Sequence, residues 1–449
     1  MSAINAKNVH ETLAKYIHAD GFDLVFDMEK SHGTRIYDKR FDREFLDLFS
    51  FFASCPLGHN HPKMSTPELI QKFGKIAMHN ITNSDLYTEE MAEFVETFHR
   101  IAVPKEFKYS FYVAGGALAV ENALKAAMDW KVRKNLAKGY RYEVGTQVMH
   151  FEQCFHGRSG YTVSMTNTAD PNKTKYFAKF DWPRIVNPKI KFPLTEGHLE
   201  EVEKLERLAV AQIEVALAEN PDDICALIIE PIQGEGGDNH FRPEFMKELR
   251  RLADEHEFML IFDEVQTGIG LTGKMWAHQH LGVVPDMVSF GKKTQVCGFM
   301  STDRIDEVPD NVFHVGSRIN STWGGNLIDM VRFSHYLKII QEDKLVENAA
   351  TVGQRAVSGL QKLGDEFPHL ISNVRGRGLL CAFDLPNTEI RNAMVKKLYE
   401  SEVAILGCGT HSIRYRPALI FTEADVAAGE AKLREAAEAM TGSVAKQLV

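Results

Sequence analysis

Cysteine is sparse in this chain, and long apolar runs and an excess of positive charge are absent. The six cysteines among 449 residues are scattered, and no two have the Cys-x-x-Cys spacing. This distribution argues against a disulfide framework and against a cysteine-ligated zinc site. No stretch is apolar enough to cross a bilayer, and residues 1–22 lack the apolar core of a secretory signal. We therefore expect a cytoplasmic protein.

The charge and the histidine pattern narrow the classes of partner. A net charge of −9 with neutral histidine disfavours broad binding to nucleic acid or to anionic membranes. Two His-x-His pairs, His59 with His61 and His278 with His280, have no third ligand at metal spacing, so we expect no metal site. The 44% hydrophobic and 25% charged residues are typical of a globular protein, and 449 residues suggest two or more domains.

Buried-strand patterns alternate with helical patterns through the middle of the chain. The predicted strands are 109–113, 147–155, 226–232, 258–265 and 287–290, and the predicted helices among them are 117–134 and 242–257. Apolar strands separated by amphipathic helices predict an α/β fold with a mostly parallel sheet. Such sheets bind ligands at the carboxyl ends of their strands.

The pattern changes after about residue 333. Helices are predicted at 331–341, 345–367 and 423–440, and a glycine-containing strand at 374–383. These elements indicate a smaller α+β domain. We expect an N-terminal segment, 1–75, that contributes to this small domain, a large domain, 76–332, and the C-terminal small domain itself, 333–449.

Two glycine-rich turns are candidates for binding phosphate. Residues 268–273 match GxGxxG after a strand, which would suggest a dinucleotide-binding enzyme with Asp286 as the ribose ligand. However, Asp263 and Glu264 precede that turn and would repel a pyrophosphate. Residues 114–116 are the better candidate, because they lead into a helix whose first amides and dipole favour an anion. An ordinary strand-to-helix turn is the alternative there.

A carboxylate and an amine at successive strand ends suggest cofactor chemistry. Asp263 ends an apolar strand, where an unpaired carboxylate would be costly, so it needs a cationic or other structural partner. A protonated pyridine nitrogen would serve, and its charge would make the ring an electron sink. Lys292 follows strand 287–290 and one glycine, and its amine would attack an aldehyde if desolvated. Lys293 is the competing choice.

Six motifs, in this order, resemble those of the class III, or omega, aminotransferases of pyridoxal 5′-phosphate (PLP) fold type I. They are Ala-Gly-Gly-Ala (114–117), Phe-His-Gly-Arg (155–158), Glu-Pro-Ile-Gln-Gly-Glu-Gly-Gly (230–237), Phe-Asp-Glu-Val-Gln (262–266), Phe-Gly-Lys (290–292) and Asn-Ser-Thr-Trp-Gly-Gly-Asn (320–326). The resemblance runs from about residue 55 to residue 417. Three segments are most similar to the lysine 6-aminotransferase branch, namely 155–161, 180–184 and 291–298. The last departs from the glycine-rich stretch usual after the lysine in the wider class.

The resemblance implies a role for each matching residue. Lys292 would hold PLP covalently and later move the substrate proton, and Asp263 would pair with the pyridine nitrogen. The other implied cofactor contacts are Gly115, Gly116 and Ala117 at the phosphate, Phe155 stacked on the ring, Gln266 at the phenolic oxygen, Glu230 as a supporting acid, and Thr322 reaching the phosphate of a second subunit. A residue that crosses between subunits implies a homodimer.

The implied reaction moves the ε-amino group of L-lysine to 2-oxoglutarate, giving L-glutamate and 2-aminoadipate 6-semialdehyde. Arginine suits the carboxylates of these substrates. Arg158 is expected at the distal carboxylate, and Arg414 near the reacting carbon; Arg416 lies on the same face of a predicted strand. Asn320 is a further expected contact. Glu235 resembles the family's switch acid, which masks Arg414 while lysine is bound and swings away for 2-oxoglutarate; a solvated loop acid is the alternative.

Other functions remain open from the sequence. The nearest is an omega-aminotransferase acting on ornithine, 4-aminobutyrate or diaminobutyrate. Different classes are a nucleotide-dependent oxidoreductase, from the GxGxxG match, and a catalytically silent binding homologue. Intact Lys292 and Asp263 argue against the silent homologue.

Overall fold

A computed structural model describes residues 4–444, with the side chains of residues 4–441. Within this part the helices are α1 (Val9–Ala14), α2 (Ser50–Ala53), α3 (Pro67–Ala77), α4 (Glu89–Ile101), α5 (Gly116–Ala137), α6 (Gly160–Met165), α7 (Glu196–Glu219), α8 (Pro243–Glu255), α9 (Leu327–Glu342), α10 (Leu345–Glu366), α11 (Thr388–Glu400) and α12 (Glu423–Val444). The strands of the same residues are β1 (Arg35–Asp38), β2 (Arg43–Asp47), β3 (Phe107–Val113), β4 (Gln147–Phe151), β5 (Arg184–Ile185), β6 (Ile224–Ile229), β7 (Ile232–Gln233), β8 (Asn239–His240), β9 (Met259–Asp263), β10 (Met287–Phe290), β11 (Cys297–Thr302), β12 (Ser372–Arg377), β13 (Leu380–Asp384), β14 (Val403–Ala404), β15 (Leu406–Cys408) and β16 (Ser412–Tyr415). No helix between residues 4 and 444 combines the length and the apolarity that a membrane crossing requires.

The largest sheet of the described chain has the strand order β3-β11-β10-β9-β6-β4-β5. Strand β11 is antiparallel to both of its neighbours, and the other strands run parallel to one another. This confirms the mostly parallel α/β sheet that the sequence predicts. Parallel pairing brings the carboxyl ends of five strands (β3, β4, β6, β9 and β10) to one edge, which is where chemistry is expected.

Both faces of this sheet are covered, because successive residues of each strand point to opposite sides. In β9, Met259 and Ile261 pack against the apolar side of α5, which includes Trp130. Leu260 and Phe262 pack on the other side, with the buried residues of α4 and α8. The strands therefore read as continuous apolar runs, and the site at their ends has a rigid support.

Most predicted elements are present, and one is wrong. The strand predicted at 287–290 has those bounds, and the strand predicted at 147–155 ends early, at Phe151. The single strand predicted at 374–383 is instead a hairpin, in which Arg377 pairs with Leu380. Its turn residue Gly378 has φ +55°, and a Cβ there would lie 2.5 Å from the backbone carbon of Thr272. Only glycine fits that approach, and an apolar pattern does not reveal the turn.

Two smaller sheets join the ends of the chain. One has the order β1-β2-β14 and the other the order β12-β13-β16-β15. In the first, Val403 of the C-terminal region pairs in parallel with Leu46 of the N-terminal region. This pairing agrees with an N-terminal segment that contributes to the small domain. The domain limits at residues 75 and 332 stay a prediction, and residues 1–3 and 445–449 of the predicted units lie outside the described chain.

A left-handed turn at α2 shapes the edge of the cavity. Its four residues have φ values from +38° to +64° although none is glycine. L-residues in this region cost about 1–2 kcal/mol each, so the surroundings must hold the turn in place. The backbone amide of Ser50 donates to Asp47 Oδ1 (2.7 Å), and the amine of Lys293 donates to the carbonyl of Ala53 (3.3 Å). The turn is not predicted from sequence.

The GxGxxG match at 268–273 is a structural turn, which corrects the dinucleotide reading. It leads into further turns and not into the first turn of an α-helix. Both carboxylate oxygens of Glu264 accept hydrogen bonds from the backbone amides of residues 277 and 278. Asp286, the supposed ribose ligand, forms ion pairs with Arg250 (2.9 Å) and Arg304 (3.0 Å). Neither acid is available to a nucleotide.

Candidate active site

A cavity of about 490 Å³ lies at the carboxyl ends of the parallel strands. Its walls come from the segments that follow β3, β4, β6, β9 and β10, together with residues near α2 and β11. The lining residues are Ser54, Gly115, Gly116, Ala117, Phe155, His156, Gly157, Glu230, Glu235, Asp263, Val265, Gln266, Lys292, Gln295 and Cys297. The structure thus brings nine of the predicted site residues to one cavity: Gly115, Gly116, Ala117, Phe155, Glu230, Glu235, Asp263, Gln266 and Lys292.

One end of the cavity is the start of helix α5. Gly115 has φ +104° and precedes the helix, whose first residue is Gly116. A Cβ on Gly116 would lie 3.1 Å from Val265 Cγ1, so this turn packs closely on the next strand end. The first amides of a helix have no partners within it, and the dipole of a 22-residue helix favours negative charge there. This end fits a phosphate.

Asp263 is buried and has a partner that the sequence reading did not name. The Nδ1 atom of His156 donates to Asp263 Oδ2 (2.7 Å), and the amide of Val265 donates to Oδ1 (3.1 Å). Burial opposes charge on His156, yet the neighbouring Cys154 and the bonded Asp263 raise the pKa of that imidazole well above its usual value. The raised pKa favours the cationic imidazole, which places a positive charge against the Asp263 carboxylate.

Glu230 ties two turns of the cavity wall together. Its Oε1 accepts from the amide of Phe155 (2.8 Å), and its Oε2 accepts from the amide of Gly234 (3.0 Å). Burial raises the pKa of this carboxyl to about 7, while the nearby His156 works against the rise. Glu230 therefore fixes the Phe155 turn and the glycine turn relative to each other.

The two adjacent lysines have different surroundings. Lys292 lines the cavity, and its pKa falls to about 7 because its amine is desolvated and lies near Arg414 and Arg416. The amine of Lys293 instead donates to the carbonyl of Gln266 (2.6 Å) and does not line the cavity. A neutral amine is the nucleophilic form, so Lys292 is the better candidate for bonding an aldehyde.

Two buried arginines meet at Gln266. Arg416 Nε donates to Gln266 Oε1 (2.9 Å), and Arg414 Nη1 approaches the same oxygen (3.4 Å). Both side chains reach one atom, although β16 ends at Tyr415 and Arg416 lies one residue beyond it. Asp238 forms a buried ion pair with Arg416. The charge of Arg416 is thereby compensated, whereas Arg414 forms no ion pair within 4.0 Å among the described residues.

The predicted switch acid has other partners in this structure. Glu235 Oε1 accepts from Thr168 Oγ1 (2.7 Å) and from Lys173 Nζ (2.6 Å). No ion pair within 4.0 Å joins Glu235 to Arg414 among the described residues. The switch itself stays a prediction, since one conformation does not test a movement.

A sequence model of the family described as aminotransferase class III matches residues 16–437, which is most of the chain. The chain belongs to the class III aminotransferase family. As a member it is a PLP-dependent transaminase, and the cavity fits that cofactor. A phosphate cradle, a buried carboxylate for the ring nitrogen and a desolvated lysine line the same space.

Alignments with named relatives span almost the whole of this aminotransferase. The L-lysine-epsilon aminotransferase of Mycobacterium tuberculosis H37Rv is 48% identical over 434 residues, which is 96% of each chain. That of Amycolatopsis lactamdurans is 47% identical over 95% of this chain and 94% of its own. A solved structure of the M. tuberculosis lysine aminotransferase has a TM-score of 0.95 and 47% identity, and covers 98% of this chain and 100% of that one.

Three predicted contacts of the aminotransferase lie away from its cavity. Arg158, Asn320 and Thr322 are exposed and do not line it. For Thr322 this agrees with a role in a second subunit's site. The roles of all three stay predictions.

Sequence reasoning missed His156, Lys173 and Asp238. His156 stands inside the Phe-His-Gly-Arg motif and directly after Phe155, so the motif itself was the available signal. Lys173 and Asp238 occupy loops distant from their partners in sequence. No local pattern marks such residues, because their role depends on tertiary contacts.

Proposed function

We propose that this aminotransferase transfers the ε-amino group of L-lysine to 2-oxoglutarate, giving L-glutamate and 2-aminoadipate 6-semialdehyde. The observation that carries the proposal is a buried guanidinium, Arg414, whose Nη1 lies 3.4 Å from Oε1 of Gln266 in the cavity wall, together with an acid, Glu235, that lines the same cavity. This combination suits an enzyme that must accept one substrate with a carboxylate near the reacting carbon and another without it. Relatives named for the lysine reaction, at 46–48% identity over nearly the full chain, support it.

The site residues have the following proposed roles. Gly115, Gly116 and Ala117 hold the phosphate of PLP, and Phe155 packs on its ring. Asp263, hydrogen-bonded by His156, stabilises the protonated ring nitrogen. Bound PLP supplies an electron sink at the carbon that bears the amine.

Lys292 is proposed to bond the cofactor and then to carry the proton. Its pKa of about 7 leaves much of the amine neutral near neutral pH, so it can accept a proton from the substrate carbon and return it. The two arginines bind Oε1 of Gln266, which leaves its Nε2 group as the donor that would contact the phenolic oxygen of PLP. Arg158 and Asn320 are proposed contacts of the carboxylate far from the reacting carbon.

We further propose a cytoplasmic homodimer in which Thr322 of each subunit completes the phosphate site of the other. The exposed position of Thr322, outside its own cavity, supports this arrangement. Nearby apolar side chains are also exposed, including Tyr87 (80%), Leu86 (62%) and Trp323 (48%). Large exposed apolar groups near each other favour an interface.

An amine-donor experiment tests the reaction. The holoenzyme is supplied with 2-oxoglutarate and with lysine carrying ¹⁵N at either the α or the ε position, and mass spectrometry reads the label in glutamate. We expect transfer of the ε label only, and faster turnover with lysine than with ornithine, 4-aminobutyrate or diaminobutyrate. Transfer of the α label, or preference for another donor, would replace lysine 6-transamination by a different omega-aminotransferase reaction.

A further inference from the structure

The carboxylate of Glu235 is held by two side chains of one loop and forms no ion pair within 4.0 Å with Arg414 among the described residues. Lys173 ends the short 3₁₀ turn Pro171–Lys173, and its amine lies 2.6 Å from Glu235 Oε1. The hydroxyl of Thr168 donates to the same oxygen at 2.7 Å. Both partners belong to the loop that follows α6, so one loop supplies a cation and a hydroxyl to one acid. Charge-assisted contacts of this kind are stronger than neutral hydrogen bonds.

The consequence at Arg414 is an incompletely paired guanidinium. Arg414 is buried, and its Nε has no hydrogen-bond partner in the described part of the chain. The Oε2 atom of Glu235 is also buried and without a partner among the described residues. An unpaired buried donor and an unpaired buried acceptor in one site are costly, so each is suited to a partner that arrives later. A substrate carboxylate would satisfy Arg414 in this arrangement.

We propose that Lys173, with Thr168, is the second docking position of the Glu235 carboxylate, which holds this acid off Arg414 and so admits dicarboxylate substrates. The inference rests on the proposed function, because it concerns the acid that is proposed to mask Arg414 when lysine binds, and it assigns that acid a second position. Lys173 is a positioning residue, since it acts through Glu235. Without Lys173 the acid shifts toward Arg414, and a dicarboxylate must then displace it. A ligand moves such an equilibrium only through its different affinity for the two states.

Lys173 is not proposed as a contact of the lysine substrate. Its amine is engaged by Glu235, and its charge lies 5.9 Å from the centroid of the Phe155 ring. A direct contact with the α-carboxylate of lysine predicts a different result, namely a weakened reaction with lysine. The two roles are therefore separable by comparing the two halves of the reaction.

The first test compares holoenzyme variants at Lys173 with a control variant at the neighbouring Lys175. Glutarate, which has both carboxylates of 2-oxoglutarate but no keto group, is titrated calorimetrically, and each half-reaction is followed in a single turnover. Lys173→Met should lower the affinity for glutarate about tenfold and raise the 2-oxoglutarate concentration at half-saturation by about the same factor. The half-reaction with lysine should keep its rate. Lys173→Arg should restore glutarate binding largely. Lys175→Met, at an exposed neighbouring lysine, should match the wild type.

The second test asks whether Lys173 acts through Glu235. In a Glu235→Ala background, Lys173→Met should have no further effect on glutarate affinity. Three results would each overturn the proposal. The glutarate affinity of Lys173→Met could equal that of the wild type, or its half-reaction with lysine could be impaired as much as that with 2-oxoglutarate, or more. In the third, Lys173→Met would still lower the glutarate affinity when Glu235 is absent. The glutarate measurements do not depend on the amine donor. A failure of the lysine reaction in the labelling experiment is therefore distinguishable from a failure of this inference.

Discussion

The reactivity of Lys292 follows from where its amine lies. Burial and the nearby guanidiniums of Arg414 and Arg416 together lower its pKa to about 7, against the attraction of Asp263 and Glu230. The protonated form is therefore lost as the pH rises through about 7, and not near the ordinary value for lysine. Since only the neutral amine attacks an aldehyde, the apoprotein is equipped to capture PLP near neutral pH.

We predict that the rate at which apoprotein takes up PLP rises between about pH 6 and 8 and then levels off, in keeping with the lowered pKa of Lys292. Stopped-flow absorbance measures this rate. Arg414→Gln removes a nearby positive charge and should move the midpoint to higher pH. Borohydride reduction followed by peptide mass spectrometry should place the cofactor on Lys292. A rate that still climbs above pH 9, or an adduct on Lys293, would contradict the assignment.

A second prediction concerns the pair of His156 and Asp263. Asp263→Asn should keep PLP but slow the half-reaction with lysine by about a hundredfold or more, because a neutral ring nitrogen is a poorer electron sink. His156→Gln keeps a donor to Asp263 without its charge and should slow the same step by roughly tenfold. Single-turnover spectroscopy with matched cofactor loading measures both. Near-normal rates in either variant would remove that residue from the proposed role.

The roles of single residues were predictable only where a motif carried them. Asp263 ends a buried strand and Lys292 follows another after one glycine, so the position of each in the fold can be inferred from the local apolar pattern. His156 and Lys173 could not be assigned, since their partners are 107 and 62 residues away in sequence. The choice of Arg414 over Arg416 rested on the resemblance alone. Its physical reason needed the structure, because Asp238 pairs with Arg416 and is not near either arginine in the chain.

At the level of elements, the glycine turn after β7 places Glu235 against a neighbouring loop. A Cβ on Gly236 would lie 1.9 Å from the carbonyl oxygen of Gln153, which is backbone and cannot rotate away. Gly234 likewise meets the side chain of Gln266, with a Cβ distance of 2.4 Å to Oε1. The turn is therefore packed from both sides, and its glycines permit close approach.

We predict that Gly236→Ala lowers the free energy of unfolding by about 1–3 kcal/mol, because the turn must shift to relieve the overlap. The half-reaction with 2-oxoglutarate should also become slower, because Glu235 moves with the turn. Urea unfolding and single-turnover kinetics measure the two effects. Gly197→Ala in α7 is the matched control: its Cβ meets nothing within 4 Å, and helix propensity should leave stability equal or slightly higher. Equal stability of both variants would show that the turn has room.

Elements were predictable where periodicity is uninterrupted. Strand β10 and helices α8 and α10 came within about two residues of their predicted bounds, as apolar pattern allows. The hairpin at Gly378 was missed because its turn occupies only two residues, so the glycine-containing segment was taken as one continuous strand. The left-handed turn at α2 has no glycine or asparagine to signal it, and its conformation is imposed by contacts with Asp47 and Lys293.

At the level of the whole molecule, the N-terminal and C-terminal regions form one unit around the site. β2 pairs with β14, and Arg35 forms an ion pair with Asp425 of α12 at 2.8 Å. β16 from this unit delivers Arg414, while the large sheet delivers Asp263 and Lys292. The segment around Thr322 lies on the surface and does not line this cavity.

The last prediction is that each active site needs two subunits. Lys292→Ala removes the bonding amine, and Thr322→Asp places a carboxylate against the phosphate of the neighbouring site, so each variant alone should be nearly inactive. Subunits of the two variants are exchanged after mild denaturation, and native mass spectrometry counts the mixed dimers. Each mixed dimer has one site with neither defect. Random exchange of equal amounts should therefore restore about a quarter of the wild-type activity.

The control mixture pairs Lys292→Ala with Asp263→Asn, whose residues line one cavity in the same chain. Every site in those mixed dimers has one defect, so activity should stay low. Recovery in the first mixture and not in the second places Thr322 in the opposite subunit, because protein concentration, exchange and folding are the same in both. If mixed dimers form in the first mixture without recovery, Thr322 acts in its own subunit or not at all. If no dimer forms, the exposed apolar residues near Thr322 have another role.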